Sequence, residues 1–300
     1  MSFNRGIWYA LAAYFAWGLL PIYWKTLHSV PAVELIGHRI AWSFIVLAVW
    51  ITAARGWRTL QQNLNRRVIG LYTIAAVLIG INWLMYVWAV NEGYIVETSL
   101  GYFINPLLSV LLGVFVLRER LRPLQWVPLA LAGAGVIYLA FAYGSPPWIA
   151  LLLALTFALY GLVKKTAPLN ALHGLTLETG LLFIPALGVI VGAGVVGQSG
   201  LTRDWPFTAI LLVGTGVITT IPLLLFAAAA RRIPLTLVGV LQYIAPTMQF
   251  LIGVFVYHEG FSFTQLIGFG MVWAALILFS LEGALAARAR EPVKRVEHGA

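Results

Sequence analysis

The chain has 300 residues, 61% of them hydrophobic and 10% charged, with a mean hydropathy of +0.91. An average soluble domain is about 45–50% apolar and about 25% charged, so this composition excludes a water-soluble globular protein and makes lipid the solvent. A net charge of +9 invites a nucleic-acid reading that the placement of the basic residues excludes, and the absence of cysteine excludes disulfides, thiolate chemistry and Cys-based metal sites.

Crossing a hydrocarbon core about 30 Å thick takes about 20 mostly apolar residues in a helix. Ten such stretches follow one another: 7–27, 34–53, 69–90, 96–117, 124–142, 147–164, 176–196, 207–227, 236–257 and 264–283. Arg5 ahead of the first run has the look of a secretory signal. Trp17, Pro21 and Lys25 carry that run too far, and no small-residue cleavage site follows, so it is read as span one.

The basic residues alternate by loop. Arg55, Arg58, Arg66 and Arg67 follow span two; Arg118, Arg120 and Arg122 follow span four; Lys164 and Lys165 follow span six; Arg231 and Arg232 follow span eight. Arg288, Arg290, Lys294 and Arg295 follow span ten and Arg5 precedes span one, which leaves Lys25, Arg39 and Arg203 outside the set. The opposite loops carry mainly Glu92, Glu97, Asp204 and Glu259. By the positive-inside rule both termini are expected in the cytoplasm, with the basic tail, 285–300, facing anionic lipid.

Span four says what span nine repeats. Ile104, Pro106, the run Leu111 to Val116 and Glu119 recur as Ile244, Pro246, Leu251 to Val256 and Glu259, with about 11 identities over about 40 residues aligned without gaps. The chain therefore divides into two repeats, 1–143 and 144–284, of five spans each. An odd number of spans makes the second copy enter from the opposite side, an inverted repeat of the kind that builds secondary carriers with a substrate site between the copies. The expected fold is all-α: a polytopic membrane protein of ten transmembrane helices.

An ionisable side chain at the centre of a membrane helix costs about 2.5–3.5 kcal/mol on insertion scales and so needs a reason. His38 and Arg39 lie early in span two, and Glu178 occupies the position in span seven equivalent to His38. They are candidates for substrate anchoring or proton coupling; the alternatives are an Arg39 that snorkels to the interface and a Glu178 that pairs structurally. Ser99, Tyr102, Asn105 and Ser109 form a polar stripe on one face of span four, and span nine answers with Gln242, Tyr243, Pro246 and Gln249. Pro106 and Pro246 each remove a backbone hydrogen bond, so both helices are expected to kink and to serve as gates. The stripes are candidate cavity lining, against the alternative of polar glue between helices.

Among the many aromatic residues, those near span ends read as interface anchors. Tyr14, Trp17, Asn82, Trp83 and Tyr160, with Tyr86 one turn on from Asn82, are the candidates for a box around an amphipathic solute. Gly188 and Gly192 form a GxxxG that reads as close helix packing. No P-loop, HExxH or GxSxG is present, which points away from direct ATP use and from hydrolytic chemistry, and no cofactor or metal is expected.

Tyr14-Phe15-Ala16-Trp17-Gly18, His38-Arg39, Asn82-Trp83, Ser99 to Leu107, Phe157 to Leu162 and Thr219 to Leu223 together resemble the EamA family of the drug/metabolite transporter superfamily, nearly end to end. The resemblance implies two inverted five-helix EamA repeats, a bacterial inner-membrane location and a permease role, with a chloramphenicol-sensitivity label attached to some members. His38, Arg39, Tyr102, Asn105 and Glu178 lie in the shared motifs. One departure from symmetry stands out: Ala245 occupies the position of Asn105.

The expected activity is secondary transport, export of a small amphipathic metabolite or drug by alternating access. A passive channel or uniporter and a non-transporting membrane scaffold are the alternatives. The expected partners are a small-molecule substrate and the bilayer, not nucleic acid.

Overall fold

A computed structural model describes residues 2–92, 94–142, 148–197, 199–202, 206–258 and 262–289. Among them the regular structure is entirely helical: α1 (Ser2–Thr26), α2 (Ala32–Ala53), α3 (Trp57–Gln62), α4 (Arg66–Asn91), α5 (Ile95–Phe115), α6 (Trp126–Ala142), α7 (Trp148–Thr166), α8 (Ala171–Val195), α9 (Phe207–Ala230), α10 (Leu235–Gln242), α11 (Ile244–Phe255) and α12 (Phe263–Ala289). Helices keep their backbone hydrogen bonds internal, the condition for crossing lipid. Nine spans among the described residues are long and apolar enough to do so, α10 and α11 counting as one, and the apolar part of α5, Leu100–Phe115, is a shorter tenth. This is a ten-helix membrane protein. Ile184, Val191 and Val195 on α8 are largely exposed, as side chains that face lipid are free to be.

The chain forms two compact units, and each sequence half contributes to both. The smaller comprises 120–146 and 260–300. In it α6 packs on its repeat counterpart α12, and Arg122 pairs with Glu282 at 2.7 Å.

The larger comprises 1–119 and 147–259, and its packing follows the repeat. α5 packs on α7 as α10 and α11 pack on α1; α1 packs on α9 as α7 packs on α4; α2 packs on α8, and α5 on α10. Each of these pairings has its exchanged partner, the pattern of a pseudo-two-fold relation between the copies. At the α5–α10 crossing a Cβ on Gly239 would lie 2.7 Å from the Pro106 carbonyl oxygen, so the backbones meet where only glycine fits.

Both repeated segments end alike. Arg118 after α5 and His258 after α11 adopt left-handed backbone at φ 55° and 53°, and in each the chain folds back on the last turn, Leu117 N to Leu112 O and Tyr257 N to Ile252 O. Glu119 then accepts from Leu235 N at 2.7 Å and Thr236 N at 2.8 Å, satisfying two free amides at the start of α10. Its repeat counterpart Glu259 lies outside the described residues.

Three expectations change. α5 runs unbroken through Pro106, whereas the second copy is interrupted at Tyr243, three residues before Pro246. Lys164, expected in a loop, is a buried residue of α7. Gly188 and Gly192 pack against nothing: a Cβ on either would meet no atom within 4 Å.

Candidate substrate cavity

The larger unit encloses a cavity of about 350 Å³ lined from α1, α2, α4, α5, α7, α9, α10 and α11, so both repeats build it. That volume falls in the range of about 300–1,000 Å³ typical of small-molecule sites. Its lining from the first repeat is drawn from the second half of α1, the start of α2, the second half of α4 and the first half of α5. The cavity thus lies toward the end of these helices joined by the α1–α2 and α4–α5 connections.

The floor is aromatic. Trp17 and Phe157 are repeat counterparts and meet edge to face with ring centres 5.7 Å apart, as residues on either side of a two-fold axis would. Phe226 contacts both, at 5.6 and 5.4 Å, and Tyr14 closes the cluster against Phe226 at 6.3 Å. Tyr160 stacks beneath, 6.0 Å from Phe226 and nearly parallel to it. It does not line the cavity.

Arg39 provides the charge. Its guanidinium carbon lies 4.7 Å from the Trp24 ring centre and 4.6 Å from that of Trp83, and its Nε donates to Thr219 Oγ1 at 3.2 Å. Two indole faces hold the group by cation–π attraction. Arg39 therefore does not snorkel. Among the described residues it is the one charged side chain lining the cavity, and no carboxylate forms an ion pair with it.

The polar lining is partly engaged. Asn82 Nδ2 donates to Leu153 O at 2.8 Å and Thr156 Oγ1 at 3.0 Å, Gln249 Nε2 donates to Trp17 O at 3.1 Å, and Ser109 Oγ donates to Asn105 Oδ1 at 3.3 Å. Gln242 Oε1 and the Tyr14 hydroxyl are buried without a partner. Tyr102 and Gln242, both lining, are repeat counterparts.

His38 and Glu178 are not among the lining residues. His38 Nδ1 accepts from Trp42 Nε1 at 3.2 Å, which puts its proton on Nε2, 3.5 Å from Glu34 Oε1. Glu34 in turn accepts from Gly200 N at 2.8 and 3.0 Å, so this row ties the start of α2 to the segment ahead of α9. Glu178 makes a buried ion pair with Lys164 at 2.6 Å and accepts from the Tyr160 hydroxyl at 3.1 Å.

Of the other candidates, Tyr14, Trp17, Asn82, Trp83, Tyr102, Asn105, Gln242 and Pro246 line the cavity. Tyr243 turns to Phe103, Pro106 faces Gly239, and the Ser99 side chain lies outside what the structure describes. Sequence reasoning placed Tyr86 beside Asn82 in that box and missed Trp24, Phe157 and Thr219 as lining. Phe157 was within reach as the counterpart of Trp17; Thr219 stood out only as the start of a shared motif, and nothing local singled out Trp24 as lining.

The EamA-like transporter family model matches residues 4–141 and again 146–281. The chain belongs to that family. It is 48% identical over 282 residues to a Bacillus subtilis (strain 168) protein named uncharacterized transporter YojE, covering 92% of this chain and 94% of the relative. It is 45% identical over 286 residues to the protein RarD of Streptomyces exfoliatus, covering 95% and 91%. One solved structure, 18% identical, superposes with a TM-score of 0.68 over 93% of this chain and 98% of that one, a likeness of fold. Membership makes this EamA chain a membrane transporter, and the cavity is where both EamA repeats meet.

Proposed function

We propose that the chain is a secondary carrier that exports a small amphipathic solute across the bacterial inner membrane by alternating access, and that it is not an enzyme. One observation carries the reading: one cavity is built jointly by the two repeats, with the counterparts Trp17 and Phe157 at its floor. Rocking one repeat against the other would part that contact and open the opposite side. Charge placement favours cytoplasmic termini, with the tail on anionic lipid. In that orientation the cavity lies in the outer half and the aromatic cluster seals the inner. Chloramphenicol, the solute the sequence resemblance points to, is a first test compound.

The test is counterflow in proteoliposomes. A carrier gives saturable uptake of labelled solute driven by unlabelled solute inside, and Trp17→Ala slows it at least about tenfold by unseating the floor. Flux that neither saturates nor exchanges favours a channel, and no flux for any solute favours a scaffold.

A further inference from the structure

We infer that the substrate is an organic monoanion, a carboxylate on a flat apolar body with a hydrogen-bond donor at its other end. The inference rests on the cavity being the transport site.

A guanidinium inside a membrane protein is normally matched by a carboxylate or by carbonyls. Among the described residues Arg39 is matched by neither: Nε donates to Thr219, and the guanidinium lies over the Trp24 and Trp83 rings. With Nε committed to Thr219 and two indole rings beside the group, the donors left over are those of Nη1 and Nη2. Their shared edge is the one that takes a carboxylate in a two-bond fork. The two rings and the Thr219 bond also hold the side chain in place, so little side-chain freedom is lost on binding.

Charge balance sets the valence. Among the described residues the lining carries one cation and no acid, so one negative charge on the substrate neutralises the site, whereas a zwitterion would bring an ammonium with no carboxylate to meet it. The aromatic lining sets the body: Trp17 and Phe157 offer ring faces and edges to a flat apolar group. On helices other than that of Arg39, the Gln242 Oε1 and Tyr14 hydroxyl are buried and find no partner among the described residues, and each can accept from an N–H or O–H that the substrate carries away from its carboxylate. An inorganic anion would satisfy Arg39 and leave the rest of the cavity unfilled.

The test is binding to the full-length protein in nanodiscs, read by fluorescence of the cavity tryptophans. The probes are 4-hydroxyphenylacetate, its neutral amide, phenylacetate and inorganic phosphate. The expected result is that 4-hydroxyphenylacetate binds about tenfold to a hundredfold tighter than its amide, the range of charge-assisted hydrogen bonds. It should outcompete phosphate and bind several-fold tighter than phenylacetate. Arg39→Gln should bring acid and amide within about twofold, and Arg39→Lys should keep part of the preference because the charge remains but the fork does not.

Equal binding of acid and amide by the unaltered protein overturns the inference whether or not any variant folds. So does a preference that survives Arg39→Gln, phosphate competing on equal terms, or no binding of either carboxylate up to about 10 mM. Counterflow of the same probes separates this from the carrier reading. Arg39-dependent binding without exchange leaves the anion site and removes the carrier; exchange of the amide alone does the reverse.

Discussion

α5 and the α10–α11 pair carry the same proline, the same Gly-Val-Phe-Val run and the same left-handed cap, yet one is an unbroken helix and the other is interrupted at Tyr243. Pro246 cannot donate to Gln242 O and its ring crowds that carbonyl; Pro106 stands in the same relation to Tyr102. The neighbours differ. In α5, Ser109 donates to Asn105 within the same helix, whereas their counterparts are Gln249, which reaches across to Trp17 O, and Ala245, which has no polar atom to offer. The first copy keeps its polar groups on its own helix and stays whole; the second sends them to α1 and breaks. The interruption falls beside the unpartnered Gln242 side chain, at the cavity wall. Duplication supplied two equivalent helices, and side-chain partners made one of them the more deformable.

The same asymmetry appears at His38 and Glu178, and there the largest effect is expected. Glu178→Leu leaves Lys164 buried without its partner and should destabilise the protein by about 3–5 kcal/mol, while the double change with Lys164→Met recovers most of the loss. His38→Leu should cost less, about 1–3 kcal/mol, because what it loses is the hydrogen bond from Trp42 and a 3.5 Å contact with Glu34. Thermal unfolding in detergent ranks the three. If Glu178→Leu proved the milder, the ion pair would not anchor α7 to α8.

Gly239→Ala comes next. Its Cβ would strike the Pro106 carbonyl, and the overpacking should cost about 1–3 kcal/mol in the same assay. Pro246→Ala gives Gln242 O back its donor, worth about 0.5–1.5 kcal/mol, and should slow amide exchange from 243 to 247. Pro106→Ala should leave exchange around α5 unchanged, since that helix is already continuous. The smallest effect is expected at Gly188→Ala, within about 0.5 kcal/mol of neutral, because the added methyl meets open space. A large loss there would reveal a packing partner for α8.

Much of this architecture could be read from the chain itself. Ten spans, their grouping in fives and the copying of Pro106 as Pro246 follow from hydropathy and self-comparison, because lipid imposes length and composition so strictly. The break at Tyr243 did not follow, since a proline states only that a bond is missing and tertiary partners decide whether the helix parts. Arg39 was legible from the cost of burying a charge. So were His38 and Glu178, but the same cost cannot say whether the compensating group is substrate or protein. For His38 the answer lay four residues away at Glu34 and was readable. For Glu178 it lay on α7, in a Lys164 whose neighbouring Lys165 gave it the look of a loop cation. Trp24 and Thr219 were illegible as lining: only the fold brings α1, α2 and α9 together around one guanidinium.

Because the chain has no cysteine, one measurement addresses alternating access directly. Ala245 lines the cavity, and Ala245→Cys introduces a single thiol with little added bulk. Treated with a membrane-impermeant maleimide, vesicles of either orientation should show labelling at this position, while glutathione trapped in the lumen stays unreacted because the path is never open to both sides at once. Labelling from one side only, or reaction of the trapped glutathione, would contradict a cavity exposed alternately to the two faces of the membrane.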